Sequence, residues 1–145
     1  MIRLARPADV ATVHTLLSEL AAFEGGAVQA SMDDLARDGF GPRPLFEVLL
    51  AERAGEALGM LVFFPIYSSW RGRAGVMIHD LFVREAARGR GVGKALVAEL
   101  VRLNAERGGA RLDVNVLDWN ARARAFYESL GFRHNQGWLG YRLER

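Results

Sequence analysis

VREAARGRGVGKALVAELVRL, residues 83–103, changes character twice. It leaves the apolar run AGVMIHDLFV, passes through Gly89, Gly91 and Gly93 mixed with Arg84, Arg88 and Arg90, and ends on Leu96, Val97, Leu100, Val101 and Leu103 at helical spacing. A strand enters a glycine-rich turn and leaves as an amphipathic helix. Amides at a helix start lack carbonyl partners, and the helix dipole favours negative charge there. Glycine removes side chains that would block a phosphate, while Arg88, Arg90 and Lys94 add positive charge at the flank. The stretch reads as an anion site at a strand-loop-helix turn. The competing reading is a plain glycine-rich helix entry with solvated arginines.

Two nucleotide loops are excluded by spacing. A Walker loop needs glycine where Arg88 stands and Ser or Thr where Ala95 stands, so the magnesium hydroxyl ligand is missing. Gly89, Gly91 and Gly93 follow G-x-G-x-G, which is not the dinucleotide fingerprint.

Working outward, IRLA predicts a short strand, and Pro7 suits the first position of a helix whose apolar face is Val10, Val13, Leu16, Leu17 and Leu20. SMDD at residues 31–34 is a capping box opening a second helix to about Asp38. LFEVLLAER and ALGMLVFFPIY predict antiparallel strands around a tight turn, with Pro65 marking a bulge or a strand end. AGVMIHDLFV, ARLDVNVL and GWLGYRLER predict three more strands, and Asn120 caps a last helix, ARARAFYESL. The order predicts an α+β domain with a mixed, mostly antiparallel twisted sheet and about four helices.

The length of 145 residues fits a single domain, 1–145, with room for one core and one site. The formal charge is only +2, with arginines clustered in the second half, which points to a local anionic partner and away from nucleic acid. The chain has no cysteine, which excludes disulfides, thiolate zinc sites and a cysteine nucleophile, and no metal site is expected. The opening MIRLARPADV has no signal-peptide stretch, and no run reaches membrane-spanning length, so a cytoplasmic protein without a membrane partner is expected.

RGRGVG at residues 88–93 fits the R/Q-x-x-G-x-G/A signature of the GNAT superfamily of acetyl-CoA-dependent N-acetyltransferases. LARDGFGPRP, YSSWRGR, HDLFV and VLDWNARARAFYESLGF, in that order, resemble the spermidine/spermine (diamine) N-acetyltransferases and their thialysine-acetylating relatives. The resemblance spans nearly the whole chain. It implies the GNAT fold, acetyl-CoA as acetyl donor, a primary amine on a small molecule as acceptor, and a homodimer.

By this resemblance the backbone of Leu81, Phe82 and Val83 pairs with pantetheine, and Arg88, Gly89, Arg90, Gly91, Val92, Gly93 and Lys94 hold the pyrophosphate. Asn120 and Ala123 line the coenzyme, Asn120 also being a helix cap. Tyr127 gives a proton or hydrogen bond to the departing thiolate, as a neutral phenol can. Without the resemblance, Ala123, Phe126, Tyr127 and Leu130 read as a core stripe.

His79 and Asp80 interrupt an apolar strand and are the candidate catalytic pair. Neighbouring strand residues face opposite sides, so both reach one cavity only if a bulge intervenes. A histidine satisfied within the sheet is the other reading. The diamine-acetylating relatives usually have glutamate where His79 stands, and acidic residues at the positions of Ser68 and Gln136. Glu24 and Asp80 remain as carboxylates for the substrate, with Trp138, and with Trp70 and Trp119 as possible walls. Fewer carboxylates point away from polyamines, toward a smaller or singly charged amine. With no cysteine, the amine attacks the thioester directly in a ternary complex. Two alternatives remain: acetylation of a protein or peptide amine, and a non-catalytic acyl-CoA sensor that would not need Tyr127.

Overall fold

The computed structural model describes residues 1–145. The elements are β1 (Ile2–Leu4), a 3-10 turn (Pro7–Asp9), α1 (Val10–Phe23), α2 (Met32–Phe40), β2 (Glu47–Arg53), β3 (Glu56–Ser68), β4 (Arg73–Val83), a second 3-10 turn (Glu85–Ala87), α3 (Val92–Glu106), β5 (Arg111–Val114) and α4 (Ala121–Ser129). The chain divides into two compact units, Met1–Asn115 and Val116–Arg145.

The first unit contains one five-stranded sheet in the order β1-β2-β3-β4-β5. All neighbours are antiparallel except β4 and β5, which run parallel through the crossover helix α3. This is the expected α+β architecture. Side chains alternate across the sheet. Val48, Leu50, Met60, Val62 and Phe82 pack with Val10, Val13 and Leu16 of α1 and Leu35 of α2. The intervening Leu49, Leu61, Phe63 and Ile78 are equally buried on the other face, which α3 covers with Leu96, Val97 and Leu100. The capping box forms as expected: Asp34 N–H donates to Ser31 Oγ, and Ser31 N–H donates to the Asp34 carboxylate.

The β3–β4 ladder slips by one residue. Val62 faces Asp80 and the next residue, Phe63, faces Ile78, so His79 is the extra residue of a bulge. In an unbroken strand Ile78 and Asp80 would share a face. The slip puts Ile78 on the α3 face and Asp80, like Phe82, on the α1 face. Pro65 marks neither a bulge nor an end: it lies within β3 opposite Val76, and the strand runs on to Ser68.

The second unit carries α4, with Asn120 Oδ1 accepting from Ala123 N–H at 3.0 Å as its cap. The strand expected from GWLGYRLER does not form; residues 130–145 hold neither helix nor strand. Its alternating Leu139, Tyr141 and Leu143 are 80, 90 and 97% exposed, and apolar alternation alone does not make a strand. The strand expected from ARLDVNVL is confined to its first half, β5.

Candidate functional site

The carboxyl half of β4 is paired on one side only. β5 accompanies β4 from Gly75 to Ile78 and stops, while β3 continues to Val83. Arg84 N–H donates to Leu58 O at 2.8 Å, and hydrogen-bonded pairs alternate along an antiparallel ladder. Phe82 therefore bonds toward Met60, whereas the amides of Leu81 and Val83 and the carbonyl of Leu81 point to the free edge, and the carbonyl of Val83, on the same side, accepts from Arg88 Nε. That edge can accept an extended ligand as an added strand. The Phe82 side chain is core.

Beyond Val83 the chain makes the second 3-10 turn and enters α3. Gly89 and Gly91 have φ of 76 and 78°, a region costly for side-chain-bearing residues, and a Cβ on either would meet nothing within 4 Å. The left-handed turn explains the glycines, and the open space beside them can admit a phosphate. Ala95 N–H is bonded to Gly91 O at 2.9 Å, so the amides of Val92, Gly93 and Lys94 lie ahead of the helical ladder. Arg90 and Lys94 form no ion pair. Open strand edge, unblocked turn and free helix-start amides follow one another along the chain. They fit a donor with an amide-bearing arm and a pyrophosphate.

Arg88 is placed differently from its two neighbours. Its Nε donates to Val83 O at 2.8 Å, and its guanidinium lies 5.3 Å from the Phe23 ring centre and 5.7 Å from that of Phe82. Arg84 holds Glu19 of α1 at 2.8 Å. Both arginines tie the end of β4 to the end of α1.

At the bulge, His79 Nδ1 lies 2.8 Å from Asp80 Oδ2. A carboxylate partner at Nδ1 places the ring proton there and leaves Nε2 with a lone pair. The hydrogen bond that His79 donates to Asp80 holds the imidazole above its ordinary pKa, with desolvation opposing and the Asp80 charge assisting. The His79 side chain is 65% exposed and its ring packs 5.9 Å from Phe64. The geometry, an accessible imidazole with a carboxylate on its other nitrogen, is one that general-base chemistry can use. No bond or ion pair joins Glu24, exposed at the end of α1, to either residue.

In the second unit, Tyr127 is buried, its ring edge-on to Phe126 and Phe132 at 5.2 and 5.3 Å. Ala123 is half-buried at the start of α4. Trp138 is exposed, as are Trp70 in the β3–β4 turn and Trp119. Phe23 and Phe64, which pack against Arg88 and His79, escaped sequence reading because each looks like ordinary core; the contact expected of Val83 is with the coenzyme through its backbone, not with Arg88.

The profile of the acetyltransferase (GNAT) family matches residues 13–132. The chain is 35% identical to the thialysine N-epsilon-acetyltransferase of Mus musculus over 99% of its own length and 91% of that protein. It is 34% identical to the L-ornithine N5-acetyltransferase of Arabidopsis thaliana over 80% of the chain and 48% of that protein. An integron cassette protein from the mobile metagenome of V. cholerae superposes with a TM-score of 0.86 at 25% identity, covering 100% of this chain and 92% of that one. The chain belongs to the acetyltransferase (GNAT) family, whose N-acetyltransferases use acetyl-CoA as acetyl donor. No helix is long and apolar enough to cross a membrane.

Proposed function

We propose that the protein, with 1–145 acting as one catalytic domain and as a homodimer in the cytoplasm, acetylates the primary amine of a small molecule of the thialysine or ornithine kind. The observation that carries this reading is the continuity of β4: a bulged His79–Asp80 pair, then an open edge at Leu81 and Val83, then the glycine turn into α3. This succession along one strand supports a reading in which acceptor chemistry lies next to donor binding. The relatives that acetylate thialysine and ornithine support the choice of acceptor.

Acetyl-CoA supplies an activated acetyl thioester. Leu81 and Val83 hold the pantetheine arm, while Gly89, Gly91, Val92, Gly93 and Lys94, flanked by Arg90, hold the pyrophosphate. The Leu81 amide polarises the acetyl carbonyl. An ammonium has no lone pair, so His79 Nε2 takes its proton, with Asp80 stabilising the imidazolium. The neutral amine then forms the carbon–nitrogen bond as the carbon–sulfur bond breaks; Tyr127 gives its proton to the leaving sulfur and is reprotonated by the proton that the nitrogen sheds, so that the products are the amide and coenzyme A thiol. Asn120 caps α4 with its oxygen, leaving its amide group for the coenzyme arm. Glu24 and Trp138 belong to the acceptor side.

The test is release of free coenzyme A from acetyl-CoA across thialysine, lysine, ornithine, polyamines, monoamines and a lysine peptide. Turnover with small amino-bearing acceptors is expected. Turnover with the peptide alone would replace the reading by protein acetylation, and acetyl-CoA binding without turnover by the sensor.

A further inference from the structure

Phe23 is the last residue of α1 and is 58% exposed, so burial does not explain an aromatic side chain there. Its ring lies 5.3 Å from the Arg88 guanidinium carbon, and the buried ring of Phe82 lies 5.7 Å from the same carbon. One turn earlier on the same helix face, Glu19 holds Arg84 at 2.8 Å. Residues 19 and 23 of α1 thus grip residues 84 and 88, which flank the second 3-10 turn.

The two grips differ in charge. Arg84 meets a carboxylate, whereas Arg88 forms no ion pair and is held by two rings and the Val83 carbonyl. A carboxylate in place of the Phe23 ring would bring an anion up to a turn that has to receive a pyrophosphate. An aromatic face attracts the guanidinium and adds no net charge.

Arg88 stands where the two donor-binding features join. Its Nε occupies the position at Val83 O that the next N–H of an added strand would take, so the ladder ends at Val83. Its backbone leads directly into Gly89, in the left-handed region. A Cβ at Gly89 or Gly91 would meet nothing within 4 Å, so the turn has little packing of its own. Ordering such a glycine segment costs entropy, and fixing the residue before it lowers that cost.

We propose that Phe23 is a positioning residue for coenzyme binding. It holds Arg88 on Val83 O, and Arg88 in turn ends the added strand and fixes the start of the glycine turn. This rests on the donor site described above and adds to it a residue of α1 that lies outside the glycine motif.

Calorimetric titration with coenzyme A tests it, using the wild type, F23L, F23Y, R88A and F23L/R88A. F23L keeps an apolar side chain without the ring and should raise Kd about two- to fivefold, while F23Y should stay near the wild-type value. In the R88A background F23L should add nothing. Wild-type affinity in F23L, an equal loss in F23L and F23Y, or the same effect of F23L with and without Arg88 would overturn the proposal and leave the transferase reading standing. Should R88A not fold, the comparison of F23L with F23Y decides the matter. No binding of coenzyme A by the wild type would remove both.

Discussion

The imidazole of His79 and the carboxylate of Asp80 are hydrogen-bonded at 2.8 Å although the residues are neighbours in a strand. The bulge makes this possible, because His79 has no partner on β3. If His79 is the base, its neutral form is active, and rate rises with pH through its pKa. Asp80 raises that pKa, so D80N should move the rising limb of kcat/KM to lower pH. H79A should remove the limb and lower kcat by about a hundredfold or more. The sign for stability follows from the same shift. A raised imidazole pKa stabilises the fold below the unfolded value, and the gain is lost as pH rises through the folded value. D80N should therefore lower Tm more in acid than in base, and only slightly, since His79 is largely exposed.

Deleting His79 separates fold from function. Ile78 and Asp80 face adjacent residues of β3, so removal of the residue between them produces an unbroken ladder with both side chains on their present faces. The deletion should keep Tm within a few degrees, a shift of about 1 kcal/mol or less, and abolish turnover. Loss of the cooperative melt would mean that the bulge holds the sheet together.

Arg88 and its neighbours should behave oppositely. Arg88 is bonded to Val83 O and lies over two rings, so R88A should cost about 1–3 kcal/mol of stability, measured by urea unfolding. R90A/K94A should leave stability within about 0.5 kcal/mol and raise the KM for acetyl-CoA in a salt-dependent way.

Tyr127 tests the assignment in the second unit. Y127F keeps the ring packing against Phe126 and Phe132 and removes only the hydroxyl. It should lower kcat about tenfold to a hundredfold with little change in acetyl-CoA binding. Equal kcat in the two proteins would remove the tyrosine from the chemistry.

Much of this was legible in the sequence because local signals fixed it. The glycine turn, the Ser31–Asp34 box and the Asn120 cap each need only a few adjacent residues. What escaped depends on residues far apart in the chain. Whether residues 137–145 form a strand depends on an available edge, which alternation alone does not reveal. The bulge site is set by the register between residues 62–63 and 78–80, and a one-residue slip leaves no compositional trace. The fold of Arg88 back onto Val83 O and Phe23 is a tertiary contact, so the motif read as three phosphate-facing cations.

The central claim is direct transfer from thioester to amine, with both bound together. Initial rates of coenzyme A release, measured while acetyl-CoA and lysine are varied against each other, test it most directly. Double-reciprocal lines that intersect are the expected result. Parallel lines, with acetyl label retained on the protein before amine is added, would contradict it and require an acetylated side chain that this account does not contain.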